Sequence, residues 1–121
     1  MNTGKLCPTG WRVPSDFDWI DLAVNLGGEN VTGGKLKETA SPHWINPNYT
    51  ATNEVRFTAL PAGRYDGPFR SRGYAGSWWS STEIPGSSFA YYRSIYNEMA
   101  SVIKIYYESR NNYFSVRCVK K

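Results

Sequence analysis

The sequence predicts one α+β domain over residues 1–121, on three observations: a capped amphipathic stretch near the start, a long Pro-, Gly- and Asn-rich middle, and a run of aromatic, hydroxyl-rich segments at the end. The length is that of a single hydrophobic core. Aromatic residues make up 16% of the chain, more than one core needs, which directs attention to the surface.

The first element opens at Ser15, a hydroxyl N-cap followed by Asp16 and Asp18, acids that complement the helix dipole in the first turn. Trp19, Leu22, Ala23 and Leu26 then recur at helical spacing and Gly27-Gly28 supplies a stop, so the pattern predicts a helix over Asp16–Leu26. A second, shorter helical piece is expected over Gly34–Thr39. Between Ala40 and Gly76 the pattern breaks into Pro, Gly, Asn and aromatic residues; Trp44, Phe57, Leu60 and Phe69 are its expected apolar anchors, and Arg56–Gly63 is read as including a short strand.

The last part reads as an antiparallel β-sheet. Strands are predicted over Gly76–Thr82, Phe89–Tyr96, Ser101–Tyr107 and Tyr113–Val119, separated by Gly, Asn, Ser and Glu turns. Alternation puts Phe114, Val116 and Cys118 on one face of the last strand. In the third, Ile103 and Ile105 read as core-facing and Val102, Lys104 and Tyr106 as solvent-facing.

Charge and motif content narrow the function classes. The net charge of +4 comes from scattered Lys and Arg with only Lys120 and Lys121 adjacent, so no concentrated basic stripe points to nucleic acid. No apolar run has the roughly 18–20 residues of a membrane span, and the first ten residues lack the apolar stretch of a signal peptide. That leaves either a cytosolic protein or a domain whose targeting segment and any membrane anchor lie outside these residues; the expectation is the second, at the cell surface or outside the cell. There is one histidine, His43, and no nucleophile elbow, phosphate loop or zinc-protease motif; the acids are dispersed, so no catalytic residue and no enzyme activity are expected.

Cys7 and Cys118 bracket nearly the whole chain, a spacing foreign to a CxxC redox or zinc motif. They read as a disulfide if the chain ends lie side by side, in which case the closed loop contributes about 4–5 kcal/mol by the chain-entropy estimate; two separate buried thiols are the alternative. Asn46, Asn48, Asn53 and Glu54 offer the oxygen ligands that calcium prefers. With one carboxylate among the four, they read rather as side chains that tie down loop backbone, and no cofactor is expected.

The late sheet carries the binding vocabulary. Tyr91, Tyr92, Arg93, Ser94, Tyr96 and Asn97, then Tyr106, Tyr107, Arg110, Asn111, Asn112 and Tyr113, combine rings that give contact area at low entropy cost with side chains that adapt their hydrogen bonds. They are the predicted ligand-binding residues, with one member of each adjacent Tyr pair expected inside.

Several rigid motifs also occur together and in order. These are Cys7-Pro8-Thr9-Gly10-Trp11-Arg12-Val13-Pro14-Ser15, Gly33-Gly34-Lys35-Leu36-Lys37, Trp44 with Pro47-Asn48, Ala51-Thr52-Asn53-Glu54, Phe57 with Ala59-Leu60-Pro61-Ala62-Gly63, Trp78-Trp79-Ser80-Ser81-Thr82-Glu83 and Phe114-Ser115-Val116-Arg117-Cys118-Val119. In this the chain resembles the Fibrobacter succinogenes major paralogous domain. The resemblance implies secreted or lipid-anchored surface proteins of Bacteroidetes-like bacteria with no established enzymatic activity. More distantly, Arg12-Val13-Pro14-Ser15 with Trp19, and the closing Val116-Arg117-Cys118-Val119, are similar to segments of the formylglycine-generating branch of the C-type-lectin-like fold. That likeness implies paired terminal strands, without the catalytic cysteines or copper ligands of those enzymes. The functional expectation is a non-catalytic surface module that binds a protein or glycan through the late sheet, a region that retroelements diversify in some C-type-lectin-like domains. The alternative is a structural or tip unit of a bacterial surface appendage with no ligand of its own.

Overall fold

The computed structural model describes residues 6–40, 42–65, 67–105 and 112–121. In order come β1 (Trp11–Arg12), α1 (Asp16–Asn25), α2 (Glu29–Leu36), β2 (Arg64–Tyr65), β3 (Phe69–Arg70), β4 (Ala75–Glu83), β5 (Ala90–Tyr96), β6 (Val102–Ile105) and β7 (Val119–Lys120). Two helices with antiparallel sheets make a mixed α+β architecture.

The chain ends meet. β1 pairs antiparallel with β7, Trp11 opposite Lys120 and Arg12 opposite Val119, and Cys7 is bonded to Cys118 with their Cα atoms 5.9 Å apart. From β1 the chain runs directly into α1, whose start is doubly capped. The Ser15 hydroxyl accepts the Asp18 amide at 3.2 Å while the Asp18 carboxylate accepts the Ser15 amide at 2.7 Å. Arg12 clasps the same carboxylate with two guanidinium nitrogens, and mainly for that reason the Asp18 carboxyl sits at about 2, below its ordinary value.

The second helix lies earlier than the pattern predicts, over Glu29–Leu36 instead of Gly34–Thr39. Gly27-Gly28 ends one helix and starts the next, and Gly33-Gly34 sits inside a helix despite poor propensity because packing leaves no room for a side chain. A Cβ at Gly33 would fall 2.2 Å from the Ser101 carbonyl oxygen, and one at Gly34 2.1 Å from the Thr50 hydroxyl.

β4, β5 and β6 form a three-stranded antiparallel sheet with β5 in the centre. Both of its faces are covered. On one, Trp78, Ile95 and Val102 pack with Trp19 and Ala23 of α1, Leu36 of α2 and Trp44. On the other, Trp79, Ala90 and Tyr92 pack against Ile105, Phe114 and Val116. The expected outward set of β6 is therefore corrected: Val102 is core, and Lys104 turns to the α1 side, where its ammonium reaches Asp16 at 2.7 Å. Tyr106 lies outside the described residues.

Two further expectations are corrected. Tyr113–Val119 does not run as one antiparallel strand: Ser115 bridges Trp78 in parallel, and only Val119 and Lys120 form a strand, with β1. In the middle segment Arg56–Gly63 holds no strand, because Arg56 and Thr58 adopt left-handed φ of 56° and 53°. Of its anchors, Trp44 is buried and donates its indole N–H to Ala59 O at 2.9 Å, and Phe57 packs partly on the core. Leu60 and Phe69 are exposed.

What holds that segment down is a buried cation. Lys37 is fully buried, and its ammonium donates to the carbonyls of Tyr49, Met99 and Tyr96 at 2.7, 2.9 and 3.1 Å, 5.6 Å from the Trp44 ring. Burial lowers its pKa to about 8.

Candidate functional site

The residues predicted to bind ligand divide by burial. Tyr92, Arg93, Ser94 and Asn97 are each 4% exposed or less, which withdraws them from any open contact surface. The reason is the position of β5 between two neighbours and between two packed layers, so that both of its alternating side-chain sets are inside. Tyr92 stacks among Trp79 and Phe114, at 5.9 and 4.5 Å between ring centres. Arg93 meets the Asp16 carboxylate at 2.7 Å. The Ser94 hydroxyl bonds that of Ser77 at 2.7 Å, and the Asn97 amide donates to Ile45 O at 3.0 Å. Tyr91, half-buried, lies under the Lys104 ammonium, 4.2 Å from its ring centre. Tyr96 and Asn112 are half-buried and Tyr113 is 70% exposed. Tyr106, Tyr107, Arg110 and Asn111 lie outside the described residues.

The four calcium candidates do not converge in their hydrogen bonding. Asn48 donates to Glu38 O at 2.8 Å, Asn53 accepts the Thr58 amide at 2.7 Å and donates to the Thr58 hydroxyl at 3.0 Å, and Glu54 accepts from Thr52 at 3.2 Å. Three of the four thus tie loop backbone or a neighbouring side chain, while Asn46 is exposed. His43 is exposed as well and meets the Glu38 carboxylate at 2.9 Å.

The arrangement with binding character lies on β2 and β3, a hairpin missed in the sequence. Arg64 pairs with Arg70 and Tyr65 with Phe69. Tyr65 also exchanges two backbone hydrogen bonds with Tyr113, at 3.0 and 2.9 Å. Three rings gather as a result: Tyr65 lies 4.9 Å from Phe69 and 5.7 Å from Tyr113, both edge-to-face. Phe69 is 78% exposed. The signal was present in Arg64-Tyr65-Asp66-Gly67-Pro68-Phe69-Arg70, where the turn-favouring dipeptide Asp-Gly lies between two Arg/aromatic pairs in mirror order.

Strand alternation sends Arg64 to the hairpin face opposite those rings. There, between the hairpin and the sheet face bearing Ser77 and Ser94, lies a cavity of about 120 Å³ lined by Arg64, Ser71, Ser77, Tyr92, Ser94 and Tyr96 together with Gly63 and Ala75. Gly63 allows the close approach, since a Cβ there would fall 2.1 Å from the Arg70 carbonyl oxygen. A larger groove of about 510 Å³ runs between α1 and the C-terminal segment. Of the charged side chains that line it, Asp18, Asp21, Arg56 and Arg117, two hold the fold: Asp18 is held by Arg12, and Arg117 by the Phe57 ring at 4.3 Å and by the Phe57 and Thr58 carbonyls.

Comparison with known proteins adds one match. Neither the curated proteins nor the solved structures match the chain. The model of the Fibrobacter succinogenes major domain matches residues 1–120, nearly the whole sequence. The chain belongs to the Fibrobacter succinogenes major domain family.

Proposed function

We propose that this chain is a non-catalytic, cell-surface recognition module of C-type-lectin-like architecture that binds a protein or glycan partner. The observation that carries the reading is the ring cluster of Tyr65, Phe69 and Tyr113, with Phe69 and Tyr113 standing 78% and 70% exposed. Isolated exposed rings are ordinary, whereas clustered aromatic rings are the composition of binding hot spots. The paired ends and their disulfide support the architecture and an oxidising, extracytoplasmic setting. The contact surface shifts accordingly, from the late sheet as a whole to the hairpin and Tyr113 at its edge.

The test is a glycan array and a surface-partner pulldown with the wild type and the Phe69→Ala/Tyr113→Ala variant, both checked for equal melting temperature. Binding that is lost in the variant supports the reading. Binding that is equal in both overturns it.

A further inference from the structure

We infer that the cavity between the β2–β3 hairpin and the sheet is a receptor for a small oxyanion, the carboxylate of an acidic sugar residue, which makes the partner an acidic glycan. The inference rests on the recognition reading above and names the ligand class for it.

Three observations lead there. The first is the lining: five hydroxyl-bearing side chains, Ser71, Ser77, Tyr92, Ser94 and Tyr96, with one guanidinium, Arg64, and no carboxylate among the described residues that surround it. Guanidinium and hydroxyl donors on a shared concavity are the complement of an oxyanion. The second is size. At about 120 Å³ the cavity holds on the order of four waters at about 30 Å³ each, far below the roughly 300–1000 Å³ of a pocket that encloses a whole ligand. It admits the end of a ligand and leaves the remainder outside.

The third is the charge that lines it, Arg64. Arg64 and Arg70 stand directly opposite each other in the hairpin ladder, where like charges disfavour pairing. A guanidinium carries five N–H donors in a planar fork that matches a carboxylate, so an arriving carboxylate adds a contact with Arg64 to whatever that side chain already holds. Ser71, which also lines the cavity, takes a left-handed φ of 61°, an uncommon conformation for serine.

The hydroxyls decide between possible carriers of the carboxylate. A peptide C-terminus brings a single backbone N–H donor beside its carboxylate, whereas a uronic acid brings several hydroxyls that each donate and accept, as the Ser and Tyr hydroxyls do. The exposed rings of the same hairpin, Phe69 and Tyr113, give the rest of a saccharide an apolar surface nearby.

The experiment titrates the folded chain with glucuronic acid, glucose, acetate and a short peptide with a free C-terminus, reading amide shifts by NMR. Glucuronic acid is expected to shift the amides of Ser71, Ser77 and Ser94 and to bind more tightly than the other three. Arg64→Gln is expected to weaken it by roughly 10- to 100-fold, the range for loss of a hydrogen bond to a charged partner. Arg56→Gln, remote and exposed, leaves binding unchanged. Should Arg64→Gln fail to fold, Ser71→Ala takes its place and is expected to weaken binding severalfold. Acetate or the peptide binding as tightly as glucuronic acid, glucose doing the same, no shift at these serines, or an indifferent Arg64→Gln each overturns the assignment. A partner captured through Phe69 and Tyr113 while glucuronic acid does not bind leaves the recognition reading standing and removes the sugar acid alone.

Discussion

The carboxylate of Asp16, the first residue of α1, lies 2.7 Å from the guanidinium of Arg93 in the middle of β5, and its other oxygen meets Lys104 at the same distance. Burial alone would raise the Asp16 carboxyl, but the hydrogen bonds from Lys104 and Arg93 outweigh it and hold the group below its ordinary value. Asp16→Ala strands Arg93, which is 1% exposed, as a charge without its partner. The expected loss is about 3–5 kcal/mol in urea unfolding at neutral pH. The double variant Asp16→Ala/Arg93→Met is expected to recover part of it, because the orphaned charge is gone.

Asp18 gives the fold an acid limit. Its folded carboxyl titrates at about 2 against 3.8 ordinarily, so the protonated form is disfavoured in the native state. The stabilisation is present in full above pH 4 and is lost as pH falls toward 2. Asp18→Asn is expected to lower stability by about 1 kcal/mol at pH 7, the size of a lost N-terminal cap. The gap between wild type and variant, followed by unfolding at stepped pH, should close between pH 4 and pH 2.

The buried Lys37 acts with the same sign at the alkaline end. Its folded pKa of about 8 lies below the ordinary 10.5, so from pH 8 to 10.5 the unfolded chain holds a proton that the native chain has released. Stability conferred at this site therefore rises across that window and is flat below it. At pH 7 the side chain is an ammonium serving three carbonyls. Lys37→Met leaves all three without it and is expected to cost about 2–4 kcal/mol. Chemical unfolding of both proteins at pH 7 and pH 10 checks sign and size.

Helix α2 provides a test in which propensity and packing disagree. Gly→Ala inside a helix ordinarily gains about 1 kcal/mol. At Gly34 the new Cβ would meet the Thr50 hydroxyl at 2.1 Å and the Thr50 carbonyl at 2.7 Å. Gly34→Ala is therefore expected to destabilise by about 1–3 kcal/mol in thermal unfolding, the usual cost of overpacking. A stabilised variant would show that the 50s loop yields.

The Cys7–Cys118 bond spans 111 positions of sequence. Replacing both with Ser is expected to lower stability by about 4–5 kcal/mol at 25 °C, since the open chain regains loop entropy when unfolded. Unfolding of the two proteins under identical conditions measures the difference, and intact mass with and without reductant checks the bond itself.

Much of this molecule was legible as text. Ser15 with Asp18 announced the start of α1 within a residue, because a helix cap is a local contest among neighbours. The Trp78-Trp79 pair marked a strand, and both rings proved to be core, one on each face of β4. The run of motifs from Cys7 to Val119 carried the family, since each requires particular residues at particular spacing.

Exposure was not legible. Alternation along β5 separates Tyr92 and Ser94 from Arg93 and Ile95, but it is silent on whether one face or both will be covered, and here both are. That depends on α1 and on Phe114, distant in sequence and brought over the sheet by packing. Gly33-Gly34 has poor helix propensity, and what makes glycine necessary there is that Ser101 and Thr50 occupy the space of the missing side chains. The pocket is of the same kind: Arg64, Ser71, Ser77 and Ser94 meet only because the hairpin folds back over the sheet. Chain-local chemistry was determined by the sequence directly; which side chains remain for a partner was decided by contacts between segments far apart along it.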